Sequence, residues 1–266
     1  MLLASAVVLA GAFAVGSAAG PRDSVTLPPP AARADYQLGG AYPPSAEVRI
    51  VARDRLEKPA AGTYGICYVN AFQSQPADTP WWRIHHRGLL LRDTVGREVG
   101  DPDWPGEVLL DTRTAASRRA LLDVVGGWFD GCARSGFSAV EPDNLDSWTR
   151  SNGLLTWADN AAYARLLTAR AHERAMAVAQ KNAAELAPQG RSLGFDFAVA
   201  EECQAFGECD AYTAAYGARV IEVEYSDQGR DSFDRACLER RGRASIVYRD
   251  RDLTPPGEPG HARATC

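Results

Sequence analysis

The 266-residue chain is long enough for one large α/β domain or two small ones, and a hydrophobic fraction of 45% is ordinary for a globular protein. Its 29 Lys and Arg against 34 Asp and Glu leave a net charge of −5, with the basic residues scattered, so there is no footprint for nucleic acid. Six cysteines, an even number, fit an exported, oxidised protein.

Leu2 to Ala19 is apolar and small, and ends in Ser17-Ala18-Ala19, a pattern suited to signal peptidase. No Lys or Arg precedes it. Residues 1–19 are read as a secretory signal, with a membrane anchor as the alternative; the run is barely long enough to span a bilayer. No other stretch could span one, so no lasting membrane partner is expected once the signal is removed. Residues 20–33 contain Pro28-Pro29-Pro30 and no periodicity, and read as a linker.

Short apolar strands follow at Ala34 to Gly40, Val48 to Ala52 and Gly65 to Asn70, the third running into the polar-aromatic loop Ala71 to Gln75. Val108 to Asp111 is a fourth, after the turn-rich Asp101 to Gly106. Thr114 to Ser135 has helical spacing, with Leu121, Leu122, Val125 and Phe129 on one face. Phe137 to Val140 is a strand, and Pro142, which has no N–H, should end its regular pairing. Trp157 to Arg174 is a second amphipathic helix. Strands at Ala175 to Gln180, Phe195 to Ala200, Arg219 to Tyr225 and Ala244 to Tyr248 complete the series, with a helix at Phe233 to Arg241.

A short strand, a polar end and usually a helix recur throughout, which implies a parallel sheet with right-handed crossovers. Eight or nine strands close most economically as a single (β/α)8 TIM barrel over residues 34–255, with an irregular N-terminal region and a tail at 256–266. A doubly wound open sheet is the alternative. It would normally carry a glycine-rich phosphate loop, and the chain has no GxGxxG after a strand and no GxxxxGK[ST].

In a barrel the strand ends converge on one face. Here they carry Asp54, Asn70, Asp111, Asp143, Lys181, Glu201 and Asp227. The period of two puts Glu141 and Asp143 on one face of their strand, with Asn144 beside them. Taken alone, that stretch also reads as a strand followed by an Asx-rich turn. Carboxylates, amides and one Lys suit sugar hydroxyls, and Tyr36, Phe72, Trp81, Trp82, Trp148 and Tyr225 are candidates to stack on sugar rings, or simply to fill the core. Glycosidic cleavage demands two carboxylates. Asp143 and Glu201 come from different strand ends, with Glu141 and Glu202 as their respective alternatives. There is no GxSxG elbow, no HExxH and no EF-hand spacing. The histidines lie far from cysteine spacing, so no metal or other cofactor is expected. Cys203 and Cys209 bracket a short loop and are the expected disulfide pair.

These residues resemble glycoside-hydrolase family 114, the endo-α-1,4-polygalactosaminidase type. The likeness is carried by DYQLGG (from Asp35), YGICYVNAFQ (from Tyr64), LLDTR (from Leu109), VEPDNLD (from Val140), AQKN (from Ala179), EECQAFGEC (from Glu201) and VEYSD (from Val223). It runs from about Asp35 to Asp250. The resemblance implies a secreted barrel hydrolase acting on α-1,4-linked galactosamine-containing polysaccharide. It also implies Asp143 as nucleophile and Glu201 as acid/base, a retaining arrangement. A cleft ringed by Asp54, Asp111, Asp143, Glu224 and Asp227 would then attract the ammonium groups of a deacetylated polymer.

Overall fold

Most strands of this chain are apolar on both faces, the mark of a parallel sheet covered inside and out. In the computed structural model, which describes residues 25–266, β1 (Ala34–Gln37), β2 (Ile50–Asp54) and β3 (Tyr64–Asn70) come first, with no helix between them. Then follow β4 (Gln73–Ser74), α1 (Thr79–His85), β5 (Val108–Leu109), α2 (Ala115–Ser135), β6 (Ala139–Asp143), α3 (Trp157–His172), β7 (Ala177–Lys181) and α4 (Ala187–Leu193). The chain ends with β8 (Phe197–Glu201), α5 (Cys203–Phe206), α6 (Cys209–Tyr216), β9 (Val220–Tyr225), α7 (Asp231–Arg240), β10 (Ser245–Arg249) and β11 (Arg263–Thr265).

Eight strands pair in parallel in the order β1-β2-β3-β6-β7-β8-β9-β10, the single (β/α)8 TIM barrel with an irregular N-terminal region. β1 and β10 lie side by side at the seam. There the buried Arg249 guanidinium of β10 donates to the Tyr36 carbonyl of β1, and to the carbonyls of Thr254 and Ala262 at 3.0 and 3.1 Å. Alternation sorts the strand residues. Ile66, Ala179, Phe197, Val199, Val223 and Val247 fill the lumen, while Val69, Val140, Val178, Ala198 and Val220 face the helices.

The helices carry readable stops and starts. The Thr114 hydroxyl accepts from the Ser117 N–H at 3.0 Å and caps α2, whose buried face is Leu121, Val125, Phe129 and Cys132. Gly136, at φ 91°, ends it. Thr156 and Asp159 form a reciprocal capping box on α3. The ladder responds to Pro142 on one side only. β6 pairs with β3 through Asp143, but with β7 only at Ala139 and Val140.

Three segments depart from the sequence reading. Val108 to Asp111 is not a barrel strand: β5 pairs antiparallel with β4 in a side hairpin, because the turn at residues 101–106 folds the excursion back on itself. Residues 25–33, expected as linker, pack at the N-terminal end of the barrel. Val25 and Leu27 join the lumen cluster, the Tyr64 hydroxyl donates to the Thr26 carbonyl at 2.8 Å, and the Ala31 N–H donates to Ala218 at 2.8 Å. The expected tail supplies β11, antiparallel to β10 and anchored by Arg263 to buried Asp35 at 3.0 Å. The expected signal at 1–19 lies outside the described residues. Among the described residues, no helix is long and apolar enough to cross a membrane.

The disulfides are Cys203–Cys209, the expected pair, with Cys67–Cys132 and Cys237–Cys266. The last closes a separation of 29 residues and ties the C-terminus to α7. Replacing both Cys237 and Cys266 with Ser should cost roughly 3 kcal/mol by freeing loop entropy in the unfolded chain. Urea unfolding of the double variant beside wild type checks this.

Candidate active site

Three neighbouring strands end alike. Asp143 closes β6, Lys181 closes β7 and Glu201 closes β8, and each is followed by a residue in the left-handed region: Asn144 (φ 65°), Asn182 (φ 49°) and Glu202 (φ 57°). Asn tolerates that conformation better than most residues, so two of the three turns are built from suitable chemistry. Each kink ends its strand while leaving the preceding side chain aimed into the barrel mouth. Asn182 also ties two ends together: its Nδ2 donates to Glu201 Oε2 at 3.1 Å, and its Oδ1 accepts the Glu201 N–H at 2.8 Å.

Lys181 is 2% exposed, and its Nζ lies 3.2 Å from Asp143 Oδ1, 3.2 Å from Glu201 Oε2 and 3.4 Å from Glu141 Oε1. Those Asp143 and Glu201 oxygens are therefore at most twice 3.2 Å apart. Burial opposes the charge on Lys181, but the three carboxylates outweigh it and hold the ammonium well above its ordinary range. Asp143 is half-buried, with its side chain at the cleft. Lys181, the Tyr68 hydroxyl at 2.8 Å and the Asn144 N–H at 2.8 Å overcome that burial and keep the Asp143 carboxyl below its usual value. Glu201 accepts from the Tyr225 hydroxyl. Glu141 lies deeper: burial pushes it up to about 7, against the pull of Lys181 and of the Tyr36 hydroxyl, 2.5 Å away.

Above this floor is a cleft of about 240 Å³. Its walls come from the loops after the strands and from the excursion between β3 and α2. They include Tyr68, Asp101, Asp103, Trp104, Glu107, Asp146, Arg150 and Arg251. Arg150 pairs with Asp101 at 2.8 Å and Asp146 at 2.9 Å. Burial pushes Glu107 up to about 7; the Asn70 amide, 3.0 Å away, works against that, and the Asp143 and Asp101 charges work with it.

Two carboxylates at the C-terminal ends of β6 and β8, on either side of β7 and flanking a small open cleft, are the parts of a glycosidase. The sequence profile of glycoside-hydrolase family GH114 matches residues 15–266. The chain belongs to family GH114. It is a glycoside hydrolase. No curated protein sequence matches it. Among solved structures, Aspergillus fumigatus Ega3, in complex with galactosamine, is 24% identical over 91% of this chain and 98% of that one, with a TM-score of 0.72. The glycoside hydrolase domain of PelA from Pseudomonas aeruginosa is 14% identical over 85% of this chain and 97% of that one, with a TM-score of 0.57. At these identities the likeness fixes the fold.

Of the residues expected at this GH114 cleft, Asp143, Asn144, Lys181, Glu201 and Tyr225 line it. Asn70 and Glu141 lie beneath: Asn70 holds Glu107 and accepts from Asn144 Nδ2 at 3.0 Å. Tyr36 is 1% exposed and bonded to Glu141 and Lys181, so it stacks on no sugar. Asp54 turns back to accept the Leu56 N–H at 2.9 Å, and Asp111, left on the side excursion, pairs with Arg113 at 2.6 Å. Neither lines the cleft. Glu202 and Asp227 are both engaged by Arg251.

Glu224 is turned away altogether. β9 aims Tyr225 into the barrel, so alternation sends Glu224 outward, where it accepts the Gln204 N–H at 2.9 Å at the start of α5. Among the aromatics, Phe72 and Trp82 are buried in the strand–helix layer, Trp148 packs against it, and Trp81 sits on α1 beside Trp128. Sequence reasoning missed Tyr68, Trp104, Glu107, Asn182 and Arg251. Tyr68 and Asn182 lay inside motifs already noted: Tyr68 shares the inward phase of Ile66, and Asn182 directly follows Lys181.

Burial pushes Glu224 up to about 7, so the folded state favours its neutral form and loses that advantage as pH rises from the ordinary carboxylate range through about 7. Glu224→Gln should match wild type in melting temperature at pH 5 and exceed it at pH 8. Paired thermal melts at the two values check this.

Proposed function

We propose that this GH114 protein is secreted and hydrolyses α-1,4-linked galactosamine-containing polysaccharide with retention. Asp143 is the nucleophile and Glu201 the acid/base. The observation that carries the reading is the shared contact of both carboxylates with Lys181. It keeps their nearest oxygens within twice 3.2 Å of each other, near enough for both carboxyls to act on one glycosidic bond, and the family resemblance supports retention. Asp143, held ionised, attacks the anomeric carbon while Glu201 protonates the departing oxygen. Glu201 then takes a proton from water as the water releases the sugar from Asp143.

The substrate class rests on charge and on likeness. Asp101, Asp103, Glu107, Asp143, Asp146 and Glu201 face the cleft, against Arg150, Lys181 and Arg251, a balance that favours a cationic polymer. The similar Ega3 structure holds galactosamine. Three disulfides suit an oxidising exterior. The test is reducing-end release by the mature protein from a partly deacetylated α-1,4-galactosamine polymer, beside a fully N-acetylated one and a neutral α-glucan, with NMR of the first-formed anomer. An initial α-anomer supports the mechanism and an initial β-anomer overturns it. Cleavage of the glucan alone overturns the substrate class.

A further inference from the structure

Arg251 follows β10 and lines the cleft, yet four of its N–H groups are already engaged. Nη1 and Nη2 donate to the two Glu202 oxygens at 2.9 and 2.8 Å, and Nε and Nη2 donate to the two Asp227 oxygens at 2.9 and 3.0 Å. A guanidinium has five donors in a fixed fork, so little is left for a sugar hydroxyl. Two carboxylates also cancel its charge, which removes its repulsion of a cationic polymer. A spent, neutralised arginine at the edge of a cleft is poorly suited to bind substrate.

Its planar face points elsewhere. The guanidinium carbon lies 4.1 Å from the centroid of the Tyr225 ring, a cation–π stack. The Tyr225 hydroxyl is the donor to Glu201 Oε1. Burial, then the Glu201 charge, holds the Tyr225 phenol well above its ordinary range, so it remains a neutral donor; Lys181 and Arg251 are the cations facing it. The Tyr225 ring is packed in the barrel lumen, 4% exposed, and Arg251 covers one of its faces. The loops after β8 and β9 hold Arg251 there through Glu202 and Asp227.

The backbone supports this. The three left-handed turns after β6, β7 and β8 use Asn, Asn and Glu. Glu tolerates that conformation less well, and Glu202 is the one whose side chain grips Arg251.

We infer that Arg251 is a positioning residue for the reaction: clamped by Glu202 and Asp227, it fixes the Tyr225 ring so that the tyrosine hydroxyl holds Glu201 in its working orientation. The inference rests on the reading of Glu201 as acid/base.

The test compares Arg251→Ala, Arg251→Lys, Tyr225→Phe and the Arg251→Ala/Tyr225→Phe double variant with wild type and Glu201→Gln on the galactosamine polymer. Arg251→Ala should lower kcat roughly ten- to a hundredfold, since a small misplacement of a catalytic group costs that much, while KM moves far less. Arg251→Lys should recover part of the loss, because an ammonium also stacks on the ring. The double variant should be no slower than Tyr225→Phe alone. Independent, multiplicative losses in the double variant, or a loss confined to KM, would overturn the inference. A crystal structure of Arg251→Ala gives a readout that needs no activity: the Tyr225 hydroxyl should leave Glu201, and a retained contact would overturn the inference. An inactive wild type or an active Glu201→Gln would instead remove the underlying mechanism.

Discussion

Asp143→Asn and Glu201→Gln should each lower kcat/KM by about a thousandfold or more while leaving the melting temperature within a few degrees of wild type. Both changes keep shape and remove charge. The first would leave the anomeric carbon without a nucleophile. The second would put an amide where the acid stands, and an amide can neither protonate the departing oxygen nor activate water. The two losses should differ by substrate. An activated aryl glycoside needs little acid assistance, so Glu201→Gln should cleave it far better than polymer, and Asp143→Asn should cleave neither. Initial rates on both substrates decide the roles. Equal losses on both substrates for Glu201→Gln would remove it as the acid.

Lys181→Met should be the most damaging single change to stability in the site. Its ammonium neutralises Asp143, Glu201 and Glu141 within 3.4 Å, in a place that is 2% exposed. Removing one partner of a buried ion pair leaves uncompensated charge and costs about 3–5 kcal/mol. The pH dependence has a definite sign. In wild type the folded-state Asp143 value is depressed, so its stabilising contribution is present above the ordinary carboxylate value and is lost as pH falls through the depressed one. Without Lys181, like charges and burial raise the carboxylates instead, and the fold is relieved as they take up protons. Lys181→Met should therefore lie closer to wild type at pH 5 than at pH 8. Urea midpoints at both values measure this, and a gap that widens toward acid would show that Lys181 is not the counter-ion.

The barrel is legible because its elements are local. An apolar run of about five residues buries itself wherever it is placed, as β7 and β8 do, and a Thr at position 114 or 156 caps whichever helix follows. The acids at strand ends are legible for a related reason. A parallel barrel has one face where all C-terminal ends meet, so Asp143, Lys181 and Glu201 are brought together by topology alone. Excursions are less legible. Nothing local to Val108 to Asp111 says whether its partner is a barrel strand or Gln73–Ser74, and the answer decides whether Asp111 joins the cleft. The segments at 25–33 and 263–265 are short of periodicity, and their places depend on the barrel's open lower end and on the free edge of β10.

By itself the sequence determined the βα rhythm, the convergence of Asp143 and Glu201 on one cleft, the Cys203–Cys209 pair and the likeness to family 114. Each of these rests on residues close together in the chain, or on a rule that holds for every barrel. Only the tertiary structure decided which way Glu224 points, that Glu202 and Asp227 serve Arg251, that Tyr36 lies under the floor, and that Tyr68 and Tyr225 each hold one of the two acids. Those facts turn on the phase of a strand and on partners tens to more than a hundred residues away. Alternation fixes the spacing of side chains along a strand but not which set faces inward, and that choice is made by everything packed against both faces at once.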